Sequence, residues 1–187
     1  MDNESVVSEV QHGNNGDQGV RHLKYIEPIV LDQVDKDKIQ WLWEKLKTQS
    51  YAFDDNTKED AHRFLLSLFA PGTEHFFIQD KGYASAVGIC PRTSCLIHFA
   101  LWEPLEGAGV YNAIRELLGY LFERYQLNRI TAAIPVYNKQ VNRLAIMLGF
   151  RFEGELRQAI LYEGKYHNIT MYGLLAEEFN RREVAHA

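Results

Sequence analysis

Cysteine is scarce in this chain. There are two, Cys90 and Cys95, and they form no C-x-x-C pair. That excludes a disulfide scaffold or a cysteine-rich zinc module and fits a reducing compartment. His62, His75 and His167 stand at no metal-ligand spacing, so no metal is expected. No apolar run approaches the ~20 residues that span a bilayer, and the polar start MDNESVVSEV lacks the character of a secretory signal. Basic charge is not in excess either: 20 Lys+Arg against 25 Asp+Glu leaves a net −5. Such a chain does not hold a phosphate backbone by bulk electrostatics. These absences point to a cytoplasmic protein with no membrane and no nucleic-acid partner.

What is present is an ordinary globular composition, 46% hydrophobic over 187 residues, enough for one well-cored domain. Residues 1–20 stand apart. They carry Asp2, Glu4, Glu9 and Asp17 with no Lys or Arg, and read as a flexible acidic tail. The folded domain is expected over residues 21–178, with a short C-terminal tail over 179–187.

Apolar spacing gives the elements. Residues 22–32 read as a strand. Ile39, Leu42, Trp43 and Leu46 mark an amphipathic helix over 35–48. Thr57 and Asp60 read as a capping box opening a second helix, which Pro71-Gly72 stops. Strands at 74–79, 82–90 and 95–102 are separated by turn residues and predict an antiparallel meander. Val110, Ile114, Leu117, Leu118, Leu121, Phe122 and Tyr125 form the firm stripe of a long helix. A short strand ends at Pro135, a helix runs from Asn138 to Leu148 with Gly149 as its cap, and strands at 155–163 and 166–174 close the chain. The order is β-α-α-β-β-β-α-β-α-β-β. It predicts a mixed α/β (α+β) domain with a mostly antiparallel sheet and one parallel crossover.

The junction Leu101-Trp102-Glu103-Pro104-Leu105-Glu106-Gly107-Ala108-Gly109-Val110-Tyr111-Asn112 is the informative one, read either as a ligand-binding loop or as a plain strand-to-helix turn. A strand runs into a glycine-containing loop that opens the longest helix. Unpaired N–H groups and the positive end of the helix dipole then face outward, an arrangement that binds phosphate. The G-x-x-x-x-G-K-S/T phosphate loop is absent. The dinucleotide fingerprint G-x-G-x-x-G fails at its third glycine, where Asn112 stands.

Further along, Asn138 opens a helix, Leu148-Gly149-Phe150 closes it, and Glu153-Gly154-Glu155-Leu156-Arg157 follows. This pattern resembles the GNAT family of acyl-CoA N-acyltransferases, especially the branch of the ribosomal-protein N-terminal acetyltransferases. The resemblance covers roughly residues 22–175. It implies a GNAT-like fold, a mostly antiparallel central sheet with helices on both faces. It also implies acetyl-CoA as cosubstrate and an amine-bearing acceptor: a protein N-terminus, a lysine or a small amine. The glycine junction becomes the pyrophosphate loop, with Gly109 on the family's central glycine. Glu106 stands where Gln or Arg is usual, and Tyr111 where Gly or Ala is usual. The cofactor-binding residues it implies are Leu101, Trp102, Gly107, Ala108, Gly109, Val110, Tyr111, Asn138 and Arg143.

Acyl transfer to an amine needs a base, since an alkylammonium has pKa near ~10, and a donor for the carbonyl oxygen. The donor implied is a backbone N–H between Phe99 and Trp102. Glu103, at the strand end, is the first candidate base and His98 the second. The family's acids, a Tyr seven residues after the helix Asn or a Ser three after it, correspond to Ala145 and Val141. Tyr137, nearby in sequence, is a candidate acid, and catalysis by positioning alone is the alternative. Trp41 and Trp43 read as core or as the border of the acceptor groove. Arg157 reads as a partner of Glu153 or as a contact to the acceptor. Asp54, Asp55 and Glu59 read as a solvated loop or as recognition of a cationic acceptor. Two functional readings follow. One is an acetyl-CoA-dependent N-acetyltransferase. The other is a catalytically weak or inactive GNAT-fold binding or assembly module, phage-encoded or virion-associated. A homodimer or larger assembly is compatible with either.

Overall fold

The computed structural model describes residues 23–49 and 53–185. The acidic tail expected over 1–20 lies outside them. Seven strands form one sheet: β1 (Ile26–Pro28), β2 (Glu74–Ile78), β3 (Gly82–Cys90), β4 (Ser94–Leu101), β5 (Arg129–Pro135), β6 (Arg151–Tyr162) and β7 (Lys165–Leu175). Their spatial order is β1-β2-β3-β4-β5-β7-β6. Every neighbouring pair is antiparallel except β4 and β5. The helices are α1 (Lys36–Leu46), α2 (Ala61–Leu68), α3 (Gly109–Tyr125), α4 (Lys139–Leu148) and α5 (Ala176–Ala185). This is the mixed α/β architecture with a mostly antiparallel sheet that the sequence pattern predicts. Among the described residues no helix is long and apolar enough to cross a membrane.

Strand alternation sorts side chains onto two faces. Phe76, Ile78, Ala84, Ala86 and Ile97 join the main core, which α3 fills with Ile114, Leu117, Leu118 and Leu121 and α4 with Ala145 and Leu148. Phe77, Tyr83 and Ala100 point the other way, against Leu42 and Leu46 of α1 and Phe64 and Leu68 of α2. Trp43 rests on Phe53 and Phe64 at ring distances of 5.4 and 5.3 Å. Trp41 is surface-lying, edge-on to Trp102.

Four expectations need correction. The strand expected over 22–32 is Ile26–Pro28 alone, followed by a 3-10 turn at Leu31–Gln33; Pro28 has no N–H with which to continue a ladder. Its approach is held instead by Glu116 of α3, whose carboxylate accepts the N–H groups of Lys24, Tyr25 and Ile26 at 2.8, 2.7 and 3.0 Å. The capping box is not used: Asp60 caps α2 by accepting the Arg63 N–H at 2.8 Å, and the Thr57 hydroxyl donates back to Asp54 at 2.6 Å. Glu153 pairs with Arg129 at 2.7 Å rather than with Arg157. Both lie over Gly173, where an added Cβ would overlap them. Finally, the stretch 179–187 is not all tail. Helix α5 runs on through it to Ala185, with Phe179 buried against Phe122 at 5.3 Å, and the Arg182 guanidinium donates to Met147 O at the end of α4.

Candidate active site

Strands β4 and β5 run parallel, which requires a crossover helix between them. Helix α3 is that crossover. The ladder joins Ser94–Arg129, Cys95–Ile130, Leu96–Thr131 and Ile97–Ala132, then stops. Beyond it His98 to Leu101 and Ala133 to Pro135 diverge, and the sheet opens. A cavity of about 430 Å³ passes through this gap. On the α3/α4 side its walls include Ile114, Asn138, Val141, Leu144 and Ala145; on the α1/α2 side they include Phe53, Phe64, Ser67, Tyr83, Ser85 and His98.

Parity decides which backbone groups face the gap. The Trp102 N–H donates to Lys81 O at 3.0 Å, directly across the β3–β4 register. In an antiparallel ladder such pairs recur at every second residue. Ala100 and His98 therefore direct their N–H groups toward β3, and Phe99 and Leu101 direct theirs toward β5, Phe99 two residues past the last β4–β5 pair. The backbone donor expected between Phe99 and Trp102 thus has two positions of the right parity, Phe99 and Leu101, and of these Phe99 lines the cavity. Trp102 is committed to Lys81, as is the Glu103 N–H at 3.2 Å.

His98 stands on the cavity wall. Protein surrounds it on most sides and lowers its pKa by desolvation, yet its ring remains open to the cavity. It has no hydrogen-bond partner among the described side chains, so a neutral imidazole with a free lone pair faces the passage. Behind it lies a polar row. Register places His75 opposite Ser85 and Ser85 opposite His98. His75 Nε2 lies 2.8 Å from Leu68 O, which can only accept, so Nε2 carries the proton. Nδ1 must then accept from the Tyr83 hydroxyl at 2.6 Å. Tyr83 in turn interacts with the Ser85 hydroxyl, and burial raises its pKa beyond any physiological range. His75 is 3% exposed, and burial lowers its pKa.

The other catalytic candidates are not at the passage. Glu103 is exposed, carried past the strand end where the chain hooks onto Lys81 O, and does not line the cavity. Tyr137 stacks on Tyr162 at 4.4 Å, and its buried hydroxyl has no partner among the described residues. Burial and nearby carboxylates raise its pKa to about 12. It too is absent from the cavity wall. Ala145 and Val141 line the wall without an acidic group.

The loop into α3 is built for close approach. Gly107 has φ +53°, and an added Cβ there would meet open space. At Gly109 a Cβ would fall 2.8 Å from Leu105 Cβ, so only glycine lets the loop fold this tightly. The Gly109 N–H is taken by Glu106 O at 2.9 Å and that of Asn112 by Ala108 O at 2.9 Å. Those of Val110 and Tyr111 have no partner among the described residues, and no side chain caps the helix. Tyr111 packs back against the main core. Asn138 caps α4 by accepting the Val141 N–H at 3.3 Å. Asn142 bonds to Pro135 O and Asn138 O and accepts the Tyr172 hydroxyl at 3.0 Å, locking the start of α4 to β5 and β7. Arg143 is exposed on α4, with no ion pair among the described residues. Leu101 is half-buried against the main core at the strand end.

Phe53, Phe64, Ser67, Tyr83 and Ser85 are site residues that sequence reasoning missed. Tyr83 and Ser85 had a signal, since period-two alternation places both on the His98 face. Phe53, Phe64 and Ser67 had none, because only the packing of α2 on the sheet brings them there.

No protein-family model matches the chain. It is 31% identical over 84 residues to the putative ribosomal N-acetyltransferase YdaF of Bacillus subtilis (strain 168), covering 44% of this chain and 46% of that protein. It is 30% identical over 83 residues to the SPbeta prophage-derived uncharacterized N-acetyltransferase YokL of the same organism, covering 44% of this chain and 47% of that protein. The matches thus span just under half the length of these curated relatives. Among solved structures, spermidine N-acetyltransferase from Vibrio cholerae in complex with CoA and spermine superposes with a TM-score of 0.66 at 15% identity, covering 83% of this chain and 98% of that one. A GNAT-family acetyltransferase from Bacillus anthracis gives 0.64 at 16% identity, with the same coverages. The fold is that of the GNAT acetyltransferases, and in sequence the chain is similar to N-acetyltransferases.

Proposed function

We propose that this chain transfers an acetyl group from acetyl-CoA to a primary amine, a protein N-terminus, a lysine or a small amine, by direct attack on the thioester. The observation that carries the reading is the passage through the sheet where β4 and β5 part, with His98 and the Phe99 N–H both on it. The fit to the cosubstrate rests on the loop. The free N–H groups of Val110 and Tyr111, the positive helix end behind them and the open side of Gly107 suit a pyrophosphate. The exposed Arg143 is a further counter-charge, and Glu106 opposes it from the loop. Asn138, Val141 and Leu144 line the α4 half, which suits a thin amide-bearing arm.

Acetyl-CoA supplies an activated acyl carbon and a leaving group of pKa about 8.5. The amine enters from the α1/α2 side as an ammonium. Neutral His98 takes one proton and returns it to solvent. The freed nitrogen attacks the acyl carbon, and the Phe99 N–H donates to the oxygen as it gains charge. The carbon–sulfur bond breaks, and the second amine proton goes to the departing thiolate. The products are the amide and CoA thiol. Among the described residues no Asp or Glu lines the passage, and the phenol on its wall, Tyr83, is engaged with His75, so positioning and the low thiol pKa carry the departure.

Calorimetric titration with acetyl-CoA tests the reading. The protein should bind saturably, and Val141→Trp, which fills the α4 half, should abolish binding while its thermal unfolding stays cooperative. No heat at millimolar acetyl-CoA would refute the proposal.

A further inference from the structure

The α1/α2 half of the passage points to the kind of amine it accepts, an inference that rests on the acetyl-transfer reading above. We propose that the acceptor is a primary amine on a small apolar body of aromatic size, with no second positive charge. Leu46, Phe53, Phe64, Tyr83 and Ala100 make this half of the wall, and no Asp, Glu, Lys or Arg lines the cavity among the described residues.

The polar groups here are almost all engaged. The Ser67 hydroxyl donates to Phe64 O at 2.7 Å, and Tyr83 interacts with both Ser85 and His75. His98 is the only basic nitrogen on the described wall, which is one point for one amine. The nearest acidic loop is occupied elsewhere. Asp55 accepts the Gly164 N–H at 2.7 Å and pairs with Lys58 at 3.2 Å. Asp54 holds Asn56 and Thr57, and Glu59 is exposed away from the wall. A second ammonium entering this half would be stripped of water with no carboxylate to meet it. An aromatic body gains instead by burying apolar surface. The wall is stiff, because Trp43 backs both Phe53 and Phe64, whose rings meet edge-on at 6.3 Å. The volume of about 430 Å³ is shared with the thioester end, which limits the acceptor's size. The amine loses two protons, one to His98 and one to the thiolate, and gains the acetyl group; the body takes no part.

The test is thiol release at saturating acetyl-CoA with 2-phenylethylamine, spermidine and an alanine-terminated peptide, for the full chain and for Ser67→Asp. The expected result is a kcat/KM for 2-phenylethylamine at least tenfold above spermidine and the peptide. Ser67→Asp should narrow that ratio by placing a carboxylate in the wall. Faster release with spermidine or the peptide overturns the inference and leaves acetyl transfer standing. Release with no amine above the amine-free rate also overturns it. The acetyl-CoA titration then shows whether the reaction fails with it.

Discussion

Replacing His98 with Ala removes the only imidazole on the described cavity wall, and its effect can be worked from proton availability. An alkylammonium has pKa near ~10, so at pH 7.5 only about 0.3% of the amine is free base. With His98 as base, the ammonium binds and is deprotonated in place. kcat/KM should then rise through the pKa of His98, which burial holds below its ordinary value, and level off well before the amine titrates. Without it, only the pre-formed free base reacts. The rate at pH 7.5 should fall about 300-fold, or roughly 3.4 kcal/mol, within the span usual for general-base catalysis. The plateau should become a unit-slope climb toward pH 10. The assay is thiol release from pH 5.5 to 9.5, with thermal unfolding to confirm that the variant folds. A variant that keeps the wild-type plateau, or a wild-type profile that itself climbs to pH 10, would refute the role of His98.

Three further outcomes follow from the packing. Tyr83→Phe strands the His75 Nδ1 lone pair in the core, and urea unfolding should show a loss of about 1–3 kcal/mol. Acid should destabilise the protein through His75. Its folded pKa lies below the unfolded value, so below pH about 6.5 the unfolded chain takes up a proton that the native state refuses. Stability should therefore be complete above pH 6.5 and fall as pH drops, by up to about 1.4 kcal/mol per unit from this residue; flat stability from pH 7 to 5 would contradict its neutral burial. Glu116→Ala releases three backbone N–H groups at the start of β1, and should cost about 1–3 kcal/mol and speed amide exchange at Tyr25 and Ile26.

Much of the fold was legible because its signals are local. The stripe from Val110 to Tyr125 needs no partner to be read as a helix, and Asn138 and Gly149 mark both ends of α4 as expected, Gly149 at φ +101°. The loop into α3 was legible as a glycine-containing strand-to-helix junction, but its two glycines fit a plain turn as well as a phosphate cradle. Helix α5 was missed because Phe179 is its only buried residue among those with described side chains; tertiary docking, not amphipathic pattern, stabilises it. The site was half legible. Alternation put His98 on the opposite face from Glu103, and the structure has it on the cavity wall. Glu103 could not be dismissed, because what removes it from the passage is the hook of Trp102 and Glu103 onto Lys81 O, a contact between residues 21 and 22 positions apart. The emptiness of the wall at Val141 and Ala145 was visible in the sequence, and it persists in three dimensions.

Amide hydrogen exchange with and without acetyl-CoA tests the central claim most directly. The free N–H groups of Val110 and Tyr111 should exchange fast in the unliganded protein and slow markedly with acetyl-CoA, together with the start of α4 near Val141. Protection confined to other segments, or none at saturating acetyl-CoA, would contradict an acyl-transfer site at the gap between β4 and β5.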